Sequence, residues 1–200
     1  MAEYLHLGNT SRQLALEHSL DMLKANKLIV FPTDTVYGLL LSFQTELAVK
    51  QLYELKQRPK EMPLILLSNT FDSFKPYIRI PLRFKEVLEQ LTFRYWPGPL
   101  TLILPKSSRV PDYLTADKPG IGIRVPAHDL LLELLMSFKQ PIASTSANLS
   151  GRQPIRSGEE AHQLFASFHS LGLIVDQGML DTNIPSTVID LTGTEPIILR

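Results

Sequence analysis

Arg124 sits inside the otherwise apolar run IGIRVP, Ile121 to Pro126. A guanidinium buried without a partner is costly, so a carboxylate or a phosphate must lie nearby. That partner is either one of the chain's own acids or a ligand. A second group of cations, Lys56 and Arg58, stands in KQRPKEMPL, Lys56 to Leu64, where Pro59 breaks a helix. On a continuing helix two residues this far apart point in different directions. At an ending helix they can converge on an anion, or simply complement the helix dipole.

Two further segments place small polar groups at the ends of apolar runs. FPTDTVYGL, Phe31 to Leu39, stops a strand at Pro32 and delivers Thr33, Asp34, Thr35 and Tyr37 into a turn. Gly38 is expected to allow tight backbone geometry there. PIASTSANLSG, Pro141 to Gly151, crowds Ser144, Thr145, Ser146, Asn148 and Ser150 ahead of Gly151. Hydroxyls, amides and exposed backbone donors suit phosphate and ribose binding. The plainer readings are an Asp/Thr-stabilised turn for the first segment and a polar loop or helix cap for the second.

Several chemistries are excluded or unsupported. The 200 residues contain no cysteine, which removes disulfides, thiolate nucleophiles and sulfur-ligated metals. There is no GxxxxGK[ST], no GxGxxG after a strand, no HExxH and no GxSxG. The five histidines show no ligand spacing. Lys plus Arg and Asp plus Glu are 20 each, so the net charge of +0 argues against a surface built for nucleic-acid backbone. The N-terminus has no signal-peptide pattern, and no apolar run approaches a membrane span. A soluble, cytoplasmic protein is expected.

These segments must be held by elements, and the pattern alternates strand and helix. Helices are expected from Thr10 or Ser11 past Leu23, from Thr45 to Arg58, over Pro81–Tyr95 and Asp129–Lys139, and from a Ser157 cap to Phe168. Strands are expected at Lys27–Thr33, Leu64–Ser68, Leu100–Leu104, Ile121–Val125, Pro141–Thr145, Leu173–Asp176, Thr187–Leu191 and Ile197–Leu199, with WPGP at Trp96–Pro99 as a turn. The absence of repeats and linkers gives one domain over residues 1–200. The alternation gives an α/β fold with a largely parallel or mixed sheet, whose strand ends carry the ligand loops.

In this order, FPTDTVYGL, KQRP with a following PL, WPGPLTLIL, IGIRVPAH, PIASTSANLSG and PSTVIDL make the chain resemble the YrdC-like family from about Leu28 to Arg200. The resemblance implies a single-domain twisted open mixed sheet with flanking helices and a large concave cavity. It also implies a short-form threonylcarbamoyl-adenylate synthase. Such a protein joins L-threonine, bicarbonate and ATP, releases pyrophosphate, and supplies a downstream transferase that forms N6-threonylcarbamoyladenosine in tRNA. By the same resemblance, Thr35, Arg124 and Ser186 contact threonine. Lys56 and Arg58 serve the ATP phosphates as the catalytic pair. Ser144, Ser146, Asn148 and Arg200 hold the nucleotide. Mg2+ is expected with ATP, with no protein ligand assigned to it.

The chain departs from the family pattern at Leu40, Leu41, Met62 and Leu67, the last standing where several relatives carry a threonine-contacting histidine. These departures keep a rival reading open, a divergent member acting on a related carbamoyl-adenylate. A different class, an RNA-binding module, is disfavoured by the neutral charge and the lack of stacking motifs, although weak RNA contact stays open.

Overall fold

The computed structural model describes residues 1–57, 59 and 61–200. Its central strands form where the sequence can be enclosed on both sides. LIVF in β2 (Leu28–Phe31) and GIGIR in β6 (Gly120–Arg124) are buried at every position, the pattern of strands covered on both faces. Around them lie β3 (Gly38–Leu41), β4 (Ile65–Leu67), β5 (Leu100–Pro105), β7 (Ile142–Ser146) and β8 (Leu171–Asp176). At the margins are β1 (Glu3–His6), β9 (Thr187–Asp190) and β10 (Ile197–Ile198). The sheet runs β1-β8-β2-β3-β7-β4-β6-β5-β9-β10. β1–β8, β2–β8, β4–β6 and β5–β9 pair parallel; β2–β3, β3–β7, β4–β7, β5–β6 and β9–β10 pair antiparallel. The mixed α/β expectation holds, in a more evenly mixed form than the strand–helix alternation suggested.

One face of the sheet is covered in part by α1 (Arg12–Lys24) and α5 (Asp129–Phe138). Ala15, Leu23, Leu131 and Leu135 pack there on Ile29, Phe31, Leu40, Ile142 and Val175. The opposite face carries Val30, Leu39, Leu66, Ile123 and Ala143. These pack in one cluster with residues of α2 (Glu46–Lys56), α3 (Lys85–Tyr95) and α6 (Gly158–Phe165). Caps fix several of these helices. Ser11 Oγ accepts from Leu14 N–H at 3.2 Å, and Ser157 Oγ accepts from Glu160 N–H at 3.2 Å. His128 caps α5, its Nδ1 accepting from Leu131 N–H at 3.3 Å.

Among the described residues four elements were not foreseen: β1, β3, the single turn α4 (Asp112–Thr115) and a short 3-10 helix at Asp72–Phe74. β3 matters most. The segment after Pro32 returns antiparallel to β2, so residues 32–37 are a hairpin connection rather than a strand-to-helix turn. Gly38 is therefore an extended strand residue. A Cβ on it would lie 3.4 Å from Ser144 Oγ and 3.5 Å from Thr33 Cγ2, so its contribution is space beside those hydroxyls. Leu40 and Leu41 are fully buried on opposite faces of β3, in the two core clusters. Neither is among the residues that line the cavity described below.

Candidate functional site

Because strand side chains alternate, Gly38, Ser144, Ser146, Ile65, Leu67, Gly122 and Arg124 share the sheet face that α1 and α5 cover farther along. Where that cover stops, a cavity of about 260 Å³ opens. Thr35, Ser144, Ser146, Asn148, Arg124, Ser186 and Arg200 all line it, residues drawn from five separate parts of the chain. Seven of the nine sequence-expected positions thus meet in one hollow. Met62 and Leu67 line it as well, Met62 42% exposed and Leu67 2% exposed.

Arg124 forms one wall. Its Nε donates to Gly98 O at 3.0 Å, its Nη1 to Thr35 Oγ1 at 3.0 Å, and its Nη2 to Asp34 Oδ1 at 2.5 Å. The two readings of this buried arginine therefore meet: it has an internal carboxylate partner and also faces the cavity. Burial pulls its pKa below the ordinary arginine value, Asp34 opposes that, and nearby Arg200 adds to the lowering. Two of its five N–H groups remain for a ligand. The WPGP string supplies the Gly98 carbonyl, and Gly98 N–H in turn donates to Val125 O at 2.8 Å. A Cβ at Gly98 would lie 2.3 Å from Tyr95 O, so only glycine fits.

Thr33 fixes the neighbouring turn. Its Oγ1 donates to Val36 O at 2.7 Å and accepts from the N–H groups of Thr35 and Val36 at 3.0 and 3.2 Å. Thr33 Oγ1 also lies 3.1 Å from Thr35 Oγ1. Thr35 Oγ1, which accepts from Arg124, borders the cavity. On the adjoining wall, the Ser186 and Thr101 hydroxyls are 2.8 Å apart, and Arg200 Nε donates to Ser186 O at 3.1 Å.

The opposite wall is the loop leaving β7. Ser146 Oγ donates to Asn148 Oδ1 at 2.6 Å, while Asn148 Nδ2 donates to Leu149 O and Arg152 O, each at 2.8 Å. Lys56 braces this loop from behind. Its Nζ donates to Ser146 O, to Asn148 O at 2.7 Å and to Asn148 Oδ1 at 3.2 Å. It is 0% exposed and is not among the cavity-lining residues. The expected direct place for Lys56 on ligand phosphates gives way to a place under the loop, because α2 ends with its last side chain turned into those carbonyls. Arg58, the other half of the expected pair, lies outside the described residues.

Sequence reasoning did not assign Asp34 or Gly98 to the site. The signal for Asp34 was present: a buried arginine requires an acid, and PTDT carries one at a strand end. Asp34 Oδ2 is buried without a hydrogen-bond partner among the described residues, a state that costs about 1–3 kcal/mol for a polar atom. Among the described residues no cluster of three or more His, Cys, Asp or Glu side chains could hold a metal, and no helix is long and apolar enough to cross a membrane.

Comparison with known proteins gives relatives in sequence and solved structures of the same fold. A threonylcarbamoyl-AMP synthase of Pyrococcus abyssi is 41% identical over 180 residues, covering 89% of this chain and 51% of that protein. One of Klebsiella pneumoniae is 36% identical over 188 residues, covering 94% of this chain and 97% of that protein. The chain thus spans about half the first relative and nearly all of the second. The structure of Pyrococcus abyssi Sua5 complexed with L-threonine superposes with a TM-score of 0.88 at 35% identity, over 100% of this chain and 57% of that one. Escherichia coli YciO superposes with a TM-score of 0.85 at 26% identity, over 100% and 94%. The Sua5/YciO/YrdC family model, described as telomere recombination, matches residues 21–200, and the chain belongs to that family.

Proposed function

We propose that this chain makes L-threonylcarbamoyl-AMP from L-threonine, bicarbonate and ATP, with release of pyrophosphate. The observation that carries the reading is the meeting of Arg124, Thr35, Ser186, Arg200, Ser144, Ser146 and Asn148 around one cavity. Relatives named as threonylcarbamoyl-AMP synthases, and the structure of Pyrococcus abyssi Sua5 complexed with L-threonine, support it.

The groups present divide the work. Threonine's amine, once neutral, takes up bicarbonate carbon as a carbamate, and water leaves. A carbamate oxygen then attacks the α-phosphorus of ATP, and pyrophosphate departs. Displacement of this kind is accelerated mainly by alignment and by stabilising charge on phosphoryl oxygens. Arg124 offers its remaining N–H groups to the threonine carboxylate, and Ser186 lies beside it. The loop carrying Ser144, Ser146 and Asn148 receives the nucleotide with Arg200. Lys56 keeps that loop in shape, and Arg58 is assigned to the phosphates. Mg2+ enters as part of the MgATP substrate, held by the phosphate oxygens, as fits a lining rich in hydroxyls and poor in carboxylates.

The product is consumed by a separate transferase acting on tRNA adenosine, in the cytoplasm. Pyrophosphate release in the presence of ATP and bicarbonate tests the reading. Threonine should stimulate release at least tenfold over no amino acid, and serine should do so less. Release that ignores the amino acid would overturn it.

A further inference from the structure

α2 ends beside two pieces of chain that separate from each other. β4 and β7 pair antiparallel, Ile65 with Ser144, Leu66 with Ala143 and Leu67 with Ile142. The chain entering β4 and the chain leaving β7 therefore lie at the same end of this pair. Beyond Ile65 they diverge. Leu64 N–H goes to Leu114 O at 3.0 Å, while β7 runs on beside β3 until Ser146 stands opposite Gly38. Met62 and Pro63 on one side, and Ser146, Asn148 and Ser150 on the other, line the cavity.

The end of α2 holds both sides. Tyr53 and Lys56 stand three positions apart, so they share one face of the helix. They are 8% and 0% exposed. Lys56 takes the β7 side, its Nζ donating to Asn148 O at 2.7 Å. Tyr53 takes the β4 side, its Oη donating to Met62 O at 2.6 Å. A phenylalanine ring would fill the same space. What the hydroxyl adds is a fixed distance from the helix to the Met62 carbonyl. Tyr53 itself is not among the residues that line this cavity.

We infer that Tyr53 is a positioning residue for the nucleotide: its hydroxyl holds the Met62 wall as Lys56 holds the β7 loop, and α2 thereby sets the width of the cavity between them. This rests on the ATP-using function proposed above. Walls held at a fixed separation need not order themselves around an incoming nucleotide, so the hydroxyl is felt in ATP affinity. The Arg124 wall is held instead by Gly98, Thr35 and Asp34. Threonine affinity therefore does not follow the Tyr53 hydroxyl.

Calorimetry in bicarbonate-free buffer tests this apart from turnover. L-threonine is titrated into the chain first, and MgATP into the threonine-saturated chain second. Tyr53→Phe keeps the ring and loses only the oxygen. It should weaken MgATP binding at least fivefold and leave threonine binding within about twofold. Combined with Lys56→Met, the losses in MgATP affinity should be less than multiplicative, because either change releases the same gap. Tyr53→Phe binding MgATP as the wild type does, weakening both ligands equally, or multiplying fully with Lys56→Met would overturn the inference and leave the proposed reaction intact. Should Tyr53→Phe not fold, hydrogen exchange in the wild type decides. MgATP should slow exchange at Met62 and Leu64 and at Ala147–Ser150 together; slowing on one side alone, or on neither, overturns the inference. A wild-type chain that binds no MgATP would overturn the proposed function and this inference with it.

Discussion

The Lys56 ammonium lies 2.7 Å from the Asn148 carbonyl oxygen, and the Lys56 carbonyl accepts from Ser150 N–H at 2.9 Å. One residue at the end of α2 thus grips the β7 loop by both its side chain and its backbone. The loop's outer groups, Ser146 and Asn148, are then held at the cavity in a fixed arrangement.

Replacing Lys56 with Met keeps the stem and removes the charge. Two carbonyl oxygens and Asn148 Oδ1 lose a charged donor. Urea denaturation should show a loss of about 1.5–3 kcal/mol. The KM for ATP should rise more than the KM for threonine if the disturbed wall receives the nucleotide, as proposed.

Gly98→Ala forces a Cβ to within 2.3 Å of Tyr95 O. The backbone must shift, and with it the carbonyl that accepts from Arg124 Nε. The expected cost is about 1–3 kcal/mol of stability, as for other overpacked sites. The KM for threonine should increase, although the altered residue has no side chain to offer a substrate. Unchanged stability and an unchanged KM would separate WPGP from the Arg124 wall.

Arg124→Lys retains the charge opposite Asp34 and loses the planar fork. Losing a charge-assisted contact to the carboxylate should raise the threonine KM tenfold or more, with a smaller change for ATP. Arg124→Ala is less informative, because it strands the Asp34 carboxylate in a buried place and should cost about 3–5 kcal/mol of stability. Equal effects of Arg124→Lys on both substrates would make Arg124 a structural strut.

A second buried carboxylate, Asp176, gives the fold's stability a dependence on pH. Burial would raise the Asp176 pKa. Hydrogen bonds from Tyr4, from the N–H groups of Gly178 and Gly158, and from Tyr37 outweigh that and hold it below the usual carboxylate range. A depressed folded pKa means stability that is present at neutral pH and lost as pH falls through that value, below about pH 4. The gap in urea midpoint between wild type and Asp176→Asn should therefore be widest near neutrality and close in acid. Tyr37 has the opposite sign: burial raises its pKa, and the charge of Asp176 adds to this. Its contribution should hold below about pH 10 and fade above, and Tyr37→Phe should flatten that alkaline limb.

Much of this architecture was legible because it depends on local chemistry. Apolar runs such as Leu28–Phe31 and Leu100–Leu104 had to be enclosed, and Ser11 and Ser157 marked helix starts. β3 was missed because the TDTVYG stretch reads as punctuation, and only pairing with β2 and β7 makes Gly38–Leu41 a strand. β1 was missed for a similar reason: four residues at the chain's start become a strand only against β8.

The site was legible as residue types and much less so as geometry. Arg124 announced its need for a partner, but Asp34 lies 90 positions earlier, and nothing in the spacing links them. Lys56 was assigned to the phosphates by the family resemblance, while its place at a broken helix end left both an anion and the helix dipole as partners. Its direction is set instead by the loop carbonyls that surround it. Leu40 and Leu41, which stood out as departures from a family pattern, are core residues, whereas Met62 and Leu67 do border the cavity.

Carbon-labelled bicarbonate incubated with the chain, L-threonine and MgATP tests the central claim most directly. The label should appear in an adenylate that also contains threonine, formed one for one with pyrophosphate and absent when threonine is left out. Pyrophosphate released without a labelled adenylate, or a labelled adenylate formed without threonine, would contradict the account.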